Sequence, residues 1–523
     1  MLLQQTTLWE NFRATRADIE HLFSLFLEHE SPLSNRELAL YVIQYRLLQE
    51  EEQFTKQLKR GAVFQPRLEY ALGQEVIFPN FSFGVGKVVG ERPGNNPEHG
   101  TFKVIEVEFE GGKRKEFASA LETPHSLNFE GDGLETFLSK LRVDPGEIFE
   151  QYGDGIIEEI EARLVDEEDA ICIGGKWFLR SLLADVGDGP LFLTEAVLDV
   201  AGTVPLTTAE ILKEIGFAEK LPQSIREFSM NYALSQDARF DNVGSVGHVR
   251  WYLRRMEPPE IHRIPPRLEV DHERYDLNAL SDEMRAVEAE LLDEYSPLEL
   301  PEKVPTEANA LMIYPHRRQG SLGLNAALSK MLPISEESPR VLITMIDGQT
   351  NTPFPVWIIR ESKYLFGLGE FYRRHKLPIG AFVTIKKTSD PLTFIINFKA
   401  HRPRTEYIRL VIPRDGRLRF ENFKRSISAE YDDLLVLGAE EIDGVDEVWS
   451  QTRARRRKLA DTLIDLIPEL ARLNPQNYVH LKTLYSAVNV IKRCPPGPIF
   501  ATLATHSAFQ HVSGAYWRLS EQG

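Results

Sequence analysis

Apolar and polar positions divide this chain into segments of helical and of strand periodicity. Between about Ala14 and Leu58, Ile19, Leu22, Phe23, Phe26 and Leu27 recur at the spacing that lines one side of an amphipathic helix. Ser31-Pro32-Leu33 then predicts a turn into a second helix, with Ser34 or Asn35 as N-cap and Glu37 in its first turn, where a carboxylate complements the helix dipole. That grammar fits the start of a helix-turn-helix unit and fits a plain helical hairpin equally well. From Gly73 the period shortens to two. Val76-Ile77-Phe78, Gly84 to Val89, Phe102 to Phe109 and Lys115-Glu116-Phe117 predict short strands that bury an inner face by curling into a small barrel. Gly84 and Gly86 read as turn glycines, because no helix and no Gly-Lys-Ser/Thr follows to make a phosphate loop.

Helical period resumes over about 134–165. Ala170 to Ile173 and Lys176 to Leu179 then flank a Gly174-Gly175 turn, which predicts a wing-shaped hairpin. The amphipathic segment Leu191 to Leu198 is followed by Val204-Pro205-Leu206-Thr207-Thr208-Ala209-Glu210-Ile211, again apolar anchor, hydroxyl cap and first-turn acid. A third helix, Ser224 to Ser235, precedes Phe240 and the strand Val249 to Leu253. Near the C-terminus a helix at Val479 to Tyr485, a turn at Pro495 to Pro498, and the segments Phe500 to Ala504 and Phe509 to Leu519 follow the same succession. Degenerate repetition of one unit explains these endings. Core residues of unrelated hairpins would also explain them.

Ala233 to Gly244 with Val249 to Leu253 resembles the HARE-HTH winged helix, the type found in the delta subunit of bacterial RNA polymerase. Its closing pattern is matched by Asp237, Arg239, Phe240, Gly244, Trp251 and Leu253, while the insertion Ser245 to His248 lengthens the wing and leaves its role open. Gly73 to Phe78, Gly84 to Val89 and the strand ending at Gly111-Gly112 resemble the Tudor/SH3-like barrels of transcription-repair factors and DNA helicases. That resemblance implies binding to RNA polymerase, another protein or nucleic acid.

The middle of the chain differs. Pro258-Pro259, Pro265-Pro266 and the stretch Pro297 to Pro305 mark linkers around a helix at about 280–294. Strands are predicted at Arg340 to Ile346, Val356 to Ile359, Leu377 to Ile385, Phe394 to Phe398 and Tyr407 to Val411, with a short helix at Tyr364 to Tyr372. In pattern this resembles the DNA-binding pseudobarrel of plant transcription factors and some restriction enzymes.

The expected fold class is α+β and multi-domain, winged-helix modules plus small β-barrels. An N-terminal helical, helix-turn-helix-like segment covers 1–62, an SH3/Tudor-like barrel 68–125, a winged helix 132–184 and a HARE-HTH-like winged helix 188–258. A linker with a helix covers 259–305, a basic, pseudobarrel-like β-barrel 306–450 and a C-terminal winged helix 451–523. A chain of 523 residues is long enough for several cores. Its 42% hydrophobic and 27% charged residues are ordinary for a globular protein. No apolar run is long enough to cross a bilayer, no signal peptide is visible, and two distant cysteines, Cys172 and Cys494, fit a reducing compartment. A cytoplasmic protein is expected.

Charge changes the picture most. The formal net charge of −17 opposes phosphate binding by the chain as a whole. It is segregated, however: thirteen acids against three bases over 132–169, but fourteen Lys/Arg against four acids over 371–425. Arginine offers a planar fork to phosphate and to guanine edges. The candidate nucleic-acid contacts are therefore Arg373, Arg374, Lys376, Lys386, Lys387, Arg402, Arg404, Arg409, Arg417 and Arg419, with Arg455 and Arg456 as a possible arm. A surface that neutralises the acidic segments of the same chain is the competing explanation.

Catalytic signatures are thin. Asp347 with Glu361-Ser362-Lys363 fits the D…ExK spacing of Mg²⁺-dependent nucleases, and also fits a plain Asp-Gly turn. His316 and His99 lack a second metal-spaced ligand or a nucleophile partner in the sequence. The expectation is a nucleic-acid-binding, transcription- or chromosome-associated protein, not an enzyme, with no cofactor and no membrane. DNA or RNA is the expected ligand and RNA polymerase or another protein a possible partner. The alternatives are a protein-binding scaffold whose acidic winged helices dock to a polymerase without DNA contact and, remotely, the D…ExK nuclease.

Overall fold

Short amphipathic helices that each bury one side, followed by a two-stranded hairpin, recur three times along this chain. The computed structural model describes residues 8–58, 62–78, 84–96, 100–125, 127–128, 143–270, 274–335 and 337–520. The fold is α+β and multi-domain, in two compact units: residues 1–184 with 220–228, and residues 185–219 with 229–523.

In the first unit, helix α1 (Arg16–His29) is capped by Thr15 and Asp18 in a reciprocal capping box, and Asp18 also holds Arg46 at 2.6 Å. Strand β1 (Leu33–Ser34) leads into α2 (Asn35–Leu58), where Ser34 and Glu37 exchange the same pair of bonds. Five strands follow: β2 (Ala62–Val63), β3 (Glu75–Phe78), β4 (Gly84–Pro93), β5 (Lys103–Phe109) and β6 (Arg114–Ser119), hydrogen-bonded in that order. The N–H groups of Ala120 and Leu121 reach back to Leu68 and Pro66, curling the row around Phe64, Phe78, Val88, Ile105 and Val107. Gly84 and Gly86 are not turn residues but lie in β4. A Cβ on Gly86 would fall 2.3 Å from Val107 Cγ1, so its glycine permits close packing of the barrel interior.

Helix α3 (Pro145–Val165) and the hairpin β7 (Ala170–Ile173) and β8 (Lys176–Leu179) follow, and residues 220–228 complete the unit. Here the expected boundaries fail. Strand β1 pairs with β8, Leu33 opposite Trp177, so 1–62 and 132–184 are two halves of one module with the barrel inserted between them. Neither half closes a core alone: the Phe26 ring meets Phe178 edge-on at 6.3 Å. Residues 129–142, which include the start of the winged helix expected over 132–184, lie outside the described residues, as does His99.

The second unit opens with α4 (Asp188–Ala201), α5 (Thr208–Ile215), α6 (Gln223–Gln236), of which Ser229 onward belongs here, and strands β9 (Phe240–Asn242) and β10 (Trp251–Leu253). Leu206 bridges to Trp251 as Leu33 does to Trp177. Helix α7 (Asp282–Leu291) comes next. It lies within the expected linker 259–305, yet Leu280, Met284, Val287 and Leu291 are buried in the largest core.

A seven-stranded, nearly closed sheet follows. Its strands are β11 (Glu307–Leu311), β12 (Ser321–Gly323), β13 (Arg340–Asp347), β14 (Pro353–Ile359), β15 (Tyr364–Phe366), β16 (Phe382–Lys387) and β17 (Thr393–Phe398). They are ordered β11-β16-β17-β13-β14-β15-β12, with β13 and β17 parallel. Helices α8 (Tyr314–Gln319), α9 (Ala326–Met331) and α10 (Gly369–Arg374) connect them. The helix predicted at Tyr364 to Tyr372 thus begins as a strand, because Tyr364 and Leu365 face buried positions beside β14.

The expected single barrel over 306–450 ends at Phe398. Strands β18 (Ala400–Arg414) and β19 (Arg417–Ala429) form a long hairpin flanked by β20 (Leu437–Ala439). Val411, Leu418, Phe420 and Leu437 join a core shared with α7, α11 (Ile442–Ala454) and the C-terminal segment. That segment is the third copy: α12 (Leu459–Ala471), β21 (Val479–His480), α13 (Leu481–Ile491), α14 (Pro496–Thr505), β22 (Phe509–Ser513) and β23 (Tyr516–Leu519), with Val479 opposite Trp517. It is not an independent domain, since its core and the hairpin's are one.

One tryptophan therefore pairs with a residue just before the second helix in every copy, within a short strand in the first and third and through an isolated bridge in the second. Trp177 Nε1 donates to Asn35 Oδ1 at 2.9 Å, and Trp251 Nε1 to Thr208 Oγ1 at 3.2 Å and Asn231 Oδ1 at 2.8 Å. Asn35 and Thr208 each stand two residues beyond the bridging leucine. In the third copy that position is Leu481, and Trp517 Nε1 has no partner among the described residues. The inserted Ser245 to His248 in the second copy also finds its place. Val246 N–H donates to Ile334 O at 3.0 Å and Leu342 N–H to Val243 O at 2.8 Å, which fastens this wing to the seven-stranded sheet.

Candidate functional site

The third helix of each copy is the element that a helix-turn-helix protein lays on DNA, so its charge is informative. On α3, Glu147, Glu150, Asp154 and Glu158 are exposed at helical spacing, opposite buried Ile148, Ile156, Ile160 and Leu164. Such a stripe repels phosphate. Helix α6 carries only Arg226 and Glu227, and α14 has no charged residue and is buried from Pro496 to Ala501. None of the three presents a basic face.

Positive charge converges elsewhere in the second unit. Helix α8 starts with Pro315 in its first turn and stops at Gly320, whose φ of +66 gives the left-handed cap. A Cβ there would lie 2.9 Å from Gly369, so two glycines let α8 and α10 approach. Between these helices, the segment Lys376 to Ile379 and the β18–β19–β20 sheet lies a groove of about 970 Å³. Arg317, Arg318, Arg373, Lys376, Lys424 and Arg425 line it, and no Asp or Glu does. Arg317 donates through Nε to Leu377 O at 3.1 Å, and burial pulls its guanidinium pKa below the ordinary arginine value, with Arg373 adding repulsion. Arg318 pairs with Asp446 at 2.9 Å and Arg425 with Glu440, both outside the lining. Arg373 and Lys376 are exposed and have no ion-pair partner among the described residues. The wall is cationic while Ile379, Ile408 and Ile427 contribute apolar surface, so the groove suits an anion that is not purely ionic.

The remaining predicted residues disperse. Arg374 leaves α10 on the other side, at 2.7 Å from Glu370 and 3.5 Å from Asp347. Lys386 pairs with Glu307 at 2.9 Å, and Lys387 ends the same strand. Arg402 and Arg404 are exposed on β18. Arg409 is a correction: it is half-buried, and its guanidinium donates to Asp433 O at 3.0 Å and Val436 O at 3.2 Å, clamping β18 to the loop before β20. Arg417 and Arg419 line a separate cleft of about 90 Å³ together with Arg457, Asp465 and Glu469, where charge is mixed. Arg455 and Arg456 are exposed between α11 and α12. Neither Arg317-Arg318 nor Lys424-Arg425 was named as a contact from the sequence, although the second pair closes the basic stretch 371–425. Two adjacent cations at a helix end and on an edge strand were the available signals.

The nuclease spacing is not assembled. Asp347 ends β13 and Glu361 follows β14, and the register sets Ile346 opposite Pro353 but Arg340 opposite Ile359. The carboxylates therefore stand at opposite ends of the hairpin, roughly 20 Å apart at strand rise. Burial opposes charge on Asp347, but hydrogen bonds from His375 (2.7 Å) and the Gln349 N–H hold its carboxyl below the usual range. Lys363 Nζ donates to Glu294 O instead. Among the described residues, no group of three or more His, Cys, Asp and Glu could hold a metal.

His316 gains the partner its sequence context lacked. Ser321 Oγ lies 2.8 Å from Nδ1 and Glu294 Oε1 3.1 Å from Nε2. All three are buried, and Glu294 also accepts from Arg493 at 2.6 Å. Arg493 further holds Asp293 at 2.8 Å, to which Tyr485 donates at 2.5 Å. Burial opposes charge on Glu294, yet Arg493 and His316 keep it ionised, whereas burial and Glu294 push Asp293 up. None of these residues lines the groove, and the network ties α8, β12 and α13 together.

No helix of the described residues is long and apolar enough to cross a membrane. No family model matches the chain, and no curated protein or solved structure matches it.

Proposed function

We propose that this chain is a nucleic-acid-binding protein, transcription- or chromosome-associated and cytoplasmic, which grips phosphates in the groove between α8, α10 and the β18–β19 ribbon. One observation carries the reading: five cationic side chains, Arg317, Arg318, Arg373, Lys376 and Arg425, converge on a groove without a lining carboxylate, in a chain of net charge −17. Chance neutralisation of acidic neighbours would interleave the signs, as the cleft beside Arg417 does. The three copies are read as winged helices, the second of HARE-HTH type, serving as architecture, and the five-stranded barrel as Tudor/SH3-like. Titration of the full chain with labelled DNA and RNA at increasing salt tests this. Affinity should fall linearly in log–log form as counterions are released, and absent or salt-insensitive binding overturns it. The whole chain is needed because the groove's ribbon shares its core with the C-terminal copy.

A second reading has its own observation. The exposed Glu147, Glu150, Asp154 and Glu158 stripe fits a basic partner such as a polymerase surface. Under that reading the chain is a scaffold, and the groove binds no nucleic acid.

A further inference from the structure

We infer that the groove takes a single strand of nucleic acid rather than a duplex, with Phe423, on the ribbon face beside the groove, as the platform on which an unpaired base stacks. The inference rests on the nucleic-acid reading and specifies its ligand. A duplex turns phosphates outward and hides its base faces within the stack. A single strand carries both, so it meets a cationic wall with its backbone and apolar or aromatic surface with its bases.

The groove has that division. Arg317, Arg318, Arg373 and Lys376 stand on the α8 and α10 side, while Ile408 and Ile427 belong to the ribbon opposite. Register fixes which ribbon residues share a face: Ile408 lies opposite Phe423 and Glu406 opposite Arg425. Alternate residues of a strand point the same way, so Glu406, Ile408, Phe423 and Arg425 share one face; Ile408 and Arg425 line the groove, and Phe423 stands beside them outside its lining. Phe423 is 42% exposed, large for a phenylalanine on a strand, and the Arg425 guanidinium sits 5.6 Å from its ring centroid. The guanidinium lies over one face of the ring, so a base would stack on the other with its adjoining phosphate near the cation. Tyr407 is more exposed, at 67%, but pairs with Lys424 and so lies on the opposite face of the ribbon. It supplies a matched control.

The test is fluorescence anisotropy of the full chain with a labelled oligothymidine, a mixed-sequence duplex of the same length, and sonicated vesicles of anionic phospholipid. The expected result is single-strand binding at least about tenfold tighter than duplex binding. Phe423→Ala should weaken the single strand by about tenfold and leave the duplex unchanged, whereas Phe423→Trp keeps affinity and Tyr407→Ala changes neither. Retained affinity in Phe423→Trp also shows that the ribbon tolerates substitution there. Equal or tighter duplex binding, indifferent to Phe423→Ala, overturns this inference and leaves the nucleic-acid reading standing. Failure of both nucleic acids, with or without vesicle binding, overturns both.

Discussion

The first and third copies of the helix–strand–helix–helix–hairpin unit agree down to the tryptophan opposite the short strand, and differ in what they do with their third helix. In the first, α3 turns four acids outward. In the third, α14 is uncharged and buried. The second copy differs again, fastening its wing to the seven-stranded sheet. Backbone pairing and one large ring constrain the fold, while outward positions remain free to diverge, so a shared topology does not carry a shared role. The positive charge gathers in a groove that no carboxylate lines and to which none of the three third helices contributes.

The strongest way to break this comparison is to ask whether the third copy is truly welded into the second unit. Arg493→Ala leaves Asp293 and Glu294 buried without their cation, and should cost about 3–5 kcal/mol. Hydrogen exchange would show it as lost protection in both α13 and the strands beside α8. Loss confined to α13 would mean an independent module.

The second copy's attachment is testable through pH. Burial, helped by Asp241 and opposed by Arg340, pushes Glu257 up to about 8. The folded protein keeps a proton that the unfolded chain releases near 4.5, so this stability is present at low pH and declines as pH rises through about 8. His262, lowered by burial, acts in the opposite direction below 6.5. Between pH 6.5 and 8 the second unit should therefore lose up to about 2 kcal/mol, read as a falling melting temperature. Glu257→Gln should flatten that slope; an unchanged slope would assign it elsewhere.

For the groove, Arg373→Ala with Lys376→Ala should weaken nucleic-acid binding about tenfold and reduce the salt slope by roughly one per lost phosphate contact. Neutralising Glu147, Glu150, Asp154 and Glu158 should leave the slope unchanged. The reverse ranking would move the site to the first copy. Smallest of all, Trp177→Phe should cost about 1 kcal/mol more than Trp517→Phe, because only the former loses a hydrogen bond and strands its Asn35 acceptor. Urea midpoints of the two variants measure the difference.

Much of this was legible locally. The Ser34/Glu37 and Thr207/Glu210 caps, the Gly174-Gly175 hairpin turn and the tryptophan strands announce themselves within a dozen residues. Arg373 and Lys376 were visible as a cation cluster, but Arg409 looked no different from them, and only burial against backbone carbonyls separates it.

The chain's own order thus determined where helices, hairpins and positive charge would form, because periodicity, capping and turn chemistry act between near neighbours. Tertiary structure alone decided which halves belong together: Leu33 finds Trp177 across an entire inserted barrel. It also decided that Arg317, Arg373 and Arg425 share one groove. Such pairings depend on which apolar faces can close a common core, and no local pattern encodes that choice.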